Sequence, residues 1–287
     1  MKTLVRSASK EITIATDGPF VIIGEKINPT GRKKLAAELQ RRNFEYVRDL
    51  ALRQVAAGAD VLDVNVGVPG EDEAALLPEV CKVVAGAVEA PLCIDSANRD
   101  ALAAALAVVS GKALVNSVNG EERSMQAVLP VVKEFGAAVI GLAMDDDGIA
   151  KEPERRLSIA EKILSRAAMF GIPTEDVIID PLVLTVGADS KAAEVTLRTI
   201  ELLRSKLGVN INLGASNVSF GLPERETVNQ AFLGLAIGAG ASCAITDPMK
   251  LSLTIRAIDL LRGRDPHGAR YLKHYRALAA AQPQQPT

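Results

Sequence analysis

From residue 20 onward the chain repeats one unit eight times, a short β-rich run followed by a longer stretch of helical period. The runs are VIIGEKIN (21–28), VLDVNVG (61–67), LCIDS (92–96), ALVNSVN (113–119), AVIGLAM (138–144), VIIDPLVL (177–184), NINLGASNVS (210–219) and CAITD (243–247). Strands that alternate with helices pair in parallel, because a parallel neighbour is reached only through a long crossover. Eight such units close economically into a barrel, although an open doubly wound sheet also accommodates eight strands. The pattern therefore predicts an α/β fold, a single (β/α)8 TIM barrel. It is expected to form one domain over residues 1–287, with its core at about 20–262.

The crossovers read as helices. Leu35, Leu39, Val47, Leu50, Ala51 and Val55 keep one face apolar after the first run, and Leu251, Ile255 and Ile258 do so after the last. Asn119 with Glu122 has the form of a capping box, and Asp247-Pro248 offers a capping side chain followed by a proline at the first helical position. Asn98, Asp100 and Asp189 stand where helices should begin and read as caps. The first 20 residues suggest a short N-terminal hairpin over the barrel bottom, with Thr13 to Thr16 as one arm and Asp17-Gly18 as its turn. At the other end RGRDPHGARYLKHYR (262–276) is a basic helical extension, and AAAQPQQPT (279–287) reads as a frayed tail.

Composition removes several function classes. Only 3% of residues are aromatic and none is Trp, so the core is built from Ala, Val, Leu and Ile. With 33 basic against 35 acidic residues, the chain has no electrostatic footprint for nucleic acid. Cys81, Cys93 and Cys243 are odd in number, far apart and never in a CxxC pair, which suggests neither a disulfide framework nor a thiolate metal site. No apolar run has the length of an export signal or a membrane span, so a cytoplasmic protein without membrane attachment is expected.

Barrel enzymes carry their active sites at the C-terminal ends of the strands. This sequence concentrates polar residues there: Glu25 and Asn28, Asp63 and Asn65, Asp95, Asn116 and Asn119, Asp180, Ser216 and Asn217, and Asp247. Burying a polar group without a partner costs roughly 2 to 7 kcal/mol, and a charge costs more, so clustered polar strand ends imply a shared polar cavity. Asp247, followed by Pro248, reads more as a helix cap than as a site residue. The two histidines, His267 and His274, lie outside the barrel units, which leaves no histidine base or histidine metal site at the strand ends, and no metal is expected to be bound directly. Neither GxxxxGK[ST] nor a strand-following GxGxxG is present. A ring of Asp and Asn instead offers acceptors for N–H groups, which suits a flat heterocycle with an amidine edge.

The runs GEKIN (24–28), LDVNVG (62–67), IDS (94–96), VNSVNG (115–120), IDPL (179–182) and SNVSFGLPER (216–225) together resemble the pterin-binding methyltetrahydrofolate:corrinoid methyltransferases. That family includes a stand-alone acetogen type and the folate module of cobalamin-dependent methionine synthase. The resemblance spans about residues 20 to 262. It implies that 5-methyltetrahydrofolate or tetrahydrofolate is the bound substrate, and that the N5-methyl group is exchanged, in either direction, with the cobalamin cobalt of a separate corrinoid protein. It also implies that Asp180 accepts from the pterin N3–H and 2-amino group, that Asp95 and Asn116 meet the remaining ring nitrogens, and that Asn217 is catalytic, near N5. Asp63, Asn65, Glu25 and Asn28 would be wall residues, Ser216 would join the pterin site, and Arg225 would contact the glutamate tail or simply be a solvated arginine at a helix start. A homodimer is implied as well.

Dihydropteroate synthases of the same superfamily are the nearest competitor. They carry Ser-Arg-Lys after strand seven and Arg-x-His near strand eight, where this chain has Ser216-Asn217-Val218 and Ala244-Ile245-Thr246-Asp247. A noncatalytic pterin-binding barrel is the other alternative. The chain has no Asp-x-His-x-x-Gly cobalamin-ligand motif, so the corrinoid must come from a partner. Asp145, Asp146, Asp147 and the segment from Phe220 to Arg225 are candidates for the surface that receives it.

Overall fold

The computed structural model describes residues 1–281. A two-stranded antiparallel hairpin, β1 (Lys2–Arg6) and β2 (Glu11–Ala15), precedes the repeating units. There follow β3 (Val21–Ile27), α1 (Lys33–Gln40), α2 (Glu45–Ala56), β4 (Val61–Val64), α3 (Glu73–Ala87), β5 (Leu92–Asp95), α4 (Arg99–Leu106), β6 (Leu114–Asn119) and α5 (Glu122–Phe135). The second half contains β7 (Ala138–Leu142), α6 (Pro153–Met169), β8 (Val177–Asp180), α7 (Ala192–Lys206), α8 (Arg225–Ala239), β9 (Cys243–Thr246), α9 (Pro248–Leu261) and α10 (Ala269–Ala281).

Seven strands form one parallel sheet in the order β8-β7-β6-β5-β4-β3-β9. The eighth position is irregular. Residues 210–214 bridge both edges, Ile211 opposite Ile179 of β8 and Gly214 opposite Ile245 of β9. Backbone hydrogen bonds from Asn212 N to Ile179 O (2.9 Å) and from Ile245 N to Leu213 O (2.8 Å) complete the closure. The expected (β/α)8 barrel is therefore present. The expected strand over 210–219 is corrected, because the chain leaves the sheet at Gly214 and winds into a 3-10 turn over Ala215–Ser219. Two asparagines and a glycine in five residues give this edge little strand propensity.

The two-residue period of the strands separates two cores. Ile22, Leu62, Leu92, Ile94, Val115 and Ile179 pack outward under the helices. Val21, Ile23, Val61, Cys93, Leu114, Ile140 and Ile178 fill the barrel, joined by Val5 and Ile14 of the hairpin. Full burial of such aliphatic side chains contributes about 1.5 to 3 kcal/mol each. Two residues further along five of the strands the same inward face turns polar, as Ile23 gives way to Glu25, Val61 to Asp63, Cys93 to Asp95, Leu114 to Asn116 and Ile178 to Asp180, while β7 and β9 stay apolar at Leu142 and Ile245. The apolar layer thus carries the polar layer directly above it.

The hairpin plugs the opposite end, as its position in the sequence suggests. Buried Asn210 donates through Nδ2 to Thr3 Oγ1 (2.9 Å) and to the Ile14 carbonyl (2.8 Å). Its turn lies at Ser7–Lys10, where Ser7 accepts from the Lys10 N–H, and not at Asp17-Gly18, which belongs to the link into β3. Of the arm expected at Thr13 to Thr16, Thr13 to Ala15 form the C-terminal part of β2, and Thr16 begins the turn that follows it. Capping follows the expectation at Asn98, which accepts from Asp100 N and Ala101 N, and at Asp247, which accepts from Met249 N. The Asn119–Glu122 box is not formed. Asn119 Oδ1 accepts from Glu121 N, and the Asn119 N–H turns to Ser124 Oγ. The basic 262–276 segment forms a short turn and most of α10, while residues 282–287 of the expected tail lie outside the described residues.

Candidate active site

A cavity of about 310 Å³ opens at the C-terminal ends of the strands. Seven of the ten residues singled out from the sequence line it: Glu25, Asn28, Asp63, Asp95, Asn116, Ser216 and Asn217. Arg32, which sequence reasoning did not single out, lines it too and is anchored by donation to the Lys26 carbonyl.

β3 delivers Glu25. A Cβ on the preceding Gly24 would lie 2.5 Å from Gln54 Oε1, and that oxygen accepts the Lys26 N–H at 2.8 Å, so close packing of α2 fixes the strand end. Glu25 Oε2 accepts from Ser216 Oγ (2.9 Å), tying β3 to the 3-10 turn across the cavity mouth. Lys26 pairs with Asp247 and stands 3.6 Å from Glu25 Oε1. Asp247 thus combines an ion pair with its capping role.

Asp63 of β4 is buried and accepts from Asn116 Nδ2 at 3.2 Å. Burial, reinforced by the charges of Asp95 and Glu25, holds its carboxyl well above the usual carboxylate range. Asp95 is raised as well, chiefly by burial. Asn65 lies beside these groups, its Oδ1 accepting from Gly67 N (2.8 Å) and its Nδ2 donating to the Asp95 carbonyl (3.4 Å). Asn28 accepts from Thr30 N and so shapes the loop after β3.

Asp180 is 5% exposed and sits below the rim. Its Oδ1 accepts from Leu182 N (2.8 Å) and its Oδ2 from Asn212 Nδ2 (2.7 Å). Burial pushes its pKa up to about 6, against the opposing pull of the Leu182 N–H, Asn212, the Gly214 N–H and Arg156. Arg225 lies outside the main cavity, in an adjoining cleft of about 150 Å³ that shares Glu25 and Ser216 as walls. It donates to the Ser216 carbonyl (2.7 Å) and Ser219 Oγ (3.1 Å), bracing the turn that carries Asn217.

Two residues that support Asp180 were missed by sequence reasoning. Asn212 interrupts an apolar run two places before Gly214, a signal of the same kind as Asn116. Buried Arg156 on α6 looks like any helical arginine, yet it donates to the carbonyls of Ala150, Pro181 and Leu182. Nothing local in the sequence marks it.

The fold and the cavity define the class: a parallel α/β barrel whose strand ends present carboxylates and carboxamides to one polar cavity. Residues 24–247 match the family described as pterin binding enzyme, and the chain belongs to that family. It is 31% identical over 265 residues to the methylcorrinoid:tetrahydrofolate methyltransferase of Eubacterium limosum, covering 90% of this chain and 96% of that protein. It is 29% identical over 260 residues to Mycobacterium tuberculosis methionine synthase, spanning 86% of this chain but 22% of that much longer protein. Among solved structures, dihydropteroate synthase from Xanthomonas albilineans in complex with 7,8-dihydropteroate superposes with a TM-score of 0.71 at 21% identity, covering 90% of this chain and 98% of that one. Yersinia pestis dihydropteroate synthase gives 0.70 at 17% identity, over 91% and 99%. At these identities the structural likeness speaks to the fold alone.

Proposed function

We propose that this chain is a methyltransferase that moves the N5-methyl group between methyltetrahydrofolate and the cobalt of a corrinoid carried by a separate protein. The whole chain acts as one domain, and the same site serves either direction. The observation that carries the reading is Asn217. It stands exposed on the 3-10 turn at the cavity wall, beside Ser216, where a dihydropteroate synthase would have its Arg-Lys pair. The near-complete coverage of a methylcorrinoid:tetrahydrofolate methyltransferase agrees with it.

In this reading the pterin lies flat in the cavity. Asp180 accepts from N3–H and the 2-amino group, Asp95 and Asn116 meet the remaining ring nitrogens, and Asp63, Asn65, Glu25 and Asn28 shape the wall. A tertiary amine is a very poor leaving group, so N5 must gain positive character before its methyl departs. The Asn217 carboxamide hydrogen-bonds N5 and strengthens that bond as charge develops, which is electrostatic stabilisation without a titrating side chain. Arg225 reaches the glutamate tail from the adjoining cleft. The cobalt supplies the methyl acceptor or donor above the barrel mouth.

The corrinoid protein docks at that mouth, where Phe220 is 68% exposed. Asp146 and Asp147 face solvent nearby, whereas Asp145 is buried and paired with Arg155 at 2.7 Å. We further propose a homodimer through the outer face of α8 and α9, which pack together and leave Leu235 and Leu261 60% and 86% exposed. No helix among the described residues is long and apolar enough to cross a membrane. Three buried free thiols fit a reducing cytoplasm.

Anaerobic incubation with methyltetrahydrofolate and cob(I)alamin tests the reading through the absorbance of methylcobalamin. Turnover supports it. Absence of turnover, together with consumption of p-aminobenzoate and a pterin pyrophosphate, would assign the synthase reaction instead.

A further inference from the structure

Asp180 is not left to orient itself. Leu182 N–H occupies one acceptor site on Oδ1 and Asn212 Nδ2 one on Oδ2. A carboxylate offers about two acceptor sites per oxygen, so these two bonds leave one on each, and the Gly214 N–H pulls on the group without a third hydrogen bond among the described residues. Two parallel acceptors match two parallel donors, as in a bidentate pair.

Asn212 would serve this purpose only with its NH2 end toward Asp180. A carboxamide turned by 180° would set oxygen against oxygen. The acceptor-only carboxylate calls for the NH2 end, and the Cys243 thiol supports that orientation from behind, its Sγ 3.6 Å from Asn212 Oδ1 and 3.7 Å from the Ile211 carbonyl, the two acceptors for its proton. Burial raises the Cys243 pKa and keeps the thiol protonated, hence a donor. All three side chains are buried, Asn212 at 1% exposure, and they join the barrel-closing segment, β8 and β9 in one chain of donors. An amide also differs from a lysine at this place, because it donates without neutralising the carboxylate.

We propose that Asn212, backed by the Cys243 thiol, is a positioning residue that presents Asp180 as a two-acceptor clamp and so selects ligands with an amidine edge, a ring N–H beside an exocyclic amino group. The proposal rests on the pterin-binding reading above. It adds the determinant of ring selectivity, which lies on the irregular strand and not on the residue that touches the ring.

The test compares wild type with Asn212→Leu, which removes the donor, and with the smaller Asn212→Ser. Titration calorimetry with methyltetrahydrofolate between pH 5 and 8 should show affinity at pH 7 reduced about tenfold to a hundredfold. The acid limb of the binding profile should move to higher pH, because loss of the amide donor favours protonated Asp180. Discrimination against a 2-desamino analogue should narrow. Carbon-13 titration of the Asp180 carboxyl in the ligand-free protein should show the same upward movement, and Cys243→Ser should retain what Cys243→Ala partly loses. Folded Asn212 variants with wild-type affinity, acid limb and selectivity would overturn the role of Asn212 while leaving the substrate reading intact. Failure of wild type to bind methyltetrahydrofolate would overturn the substrate reading, and the selectivity proposal with it.

Discussion

The Arg156 guanidinium donates to the Leu182 carbonyl at 2.9 Å, and Leu182 has φ of 68°, a left-handed conformation that costs a non-glycine residue about 1 to 2 kcal/mol. The same residue gives its N–H to Asp180, so the arginine on α6 holds the backbone that holds the carboxylate. Arg156→Met would strand the Ala150 and Pro181 carbonyls, leave that of Leu182 to Thr196 Oγ1 alone, and release this turn. We expect a loss of about 3 kcal/mol or more in urea unfolding, together with weaker methyltetrahydrofolate binding. A variant as stable as wild type would show that the turn holds itself.

Asn217→Ala should separate catalysis from binding. If its carboxamide acts on charge that develops at N5, methyl transfer should slow about 10²- to 10³-fold while the dissociation constant for methyltetrahydrofolate changes little. Single-turnover rates set beside calorimetric affinities provide the check. Equal losses in both would make Asn217 a binding residue.

Asp180→Asn keeps one acceptor oxygen and sets its NH2 against either Asn212 Nδ2 or the Leu182 N–H, so one donor faces a donor. Such a buried mismatch costs about 1 to 3 kcal/mol or more, so affinity should fall on the order of tenfold to several hundredfold. Because the clamp needs the carboxylate, whose pKa lies at about 6, wild-type affinity should be full above that pH and decline below it. Asp180→Asn should lack this acid limb, as calorimetry across the pH range would reveal.

Ionised Asp63, Asp95 and Asp180 oppose folding when no ligand is bound, because burial raises all three pKa values. The folded pKa of Asp95 lies above its unfolded value, so the unfolded chain releases that proton first and stability falls as pH rises through the window between the two. Asp95→Asn should therefore unfold a few degrees higher than wild type near pH 7.5, and the advantage should vanish near pH 4. Scanning calorimetry at both values decides it. An advantage that persists in acid would point to packing and not to charge.

Much of the barrel was legible because its strands obey one rule, apolar below and polar at the tip. That rule found Glu25, Asp63, Asp95, Asn116 and Asp180 directly. It failed at 210–219, where Gly214 and the asparagines break the strand, and the rule's own logic should have flagged Asn212. The hairpin turn was misplaced because Asp17-Gly18 is good turn chemistry, but Ser7 supplies a side-chain acceptor for Lys10 N instead. Arg225 was legible as a polar residue near the mouth, although its hydrogen bonds brace the backbone around Ser216. Arg156 stayed hidden, since the carbonyls it serves are brought to it only by the tertiary fold.

The bond from Asn210 to Thr3 joins residues 207 positions apart. On the ribosome, the hairpin that carries Val5 and Ile14 emerges ahead of the barrel strands, yet the barrel floor that buries it is complete only when the 210–214 segment and β9 have appeared. Closure is thus a late, non-local event. Until then the hairpin's apolar side and the open edges of β3 and β8 have no native cover, which is the kind of exposed surface that chaperones retain during synthesis of slow-closing parallel folds.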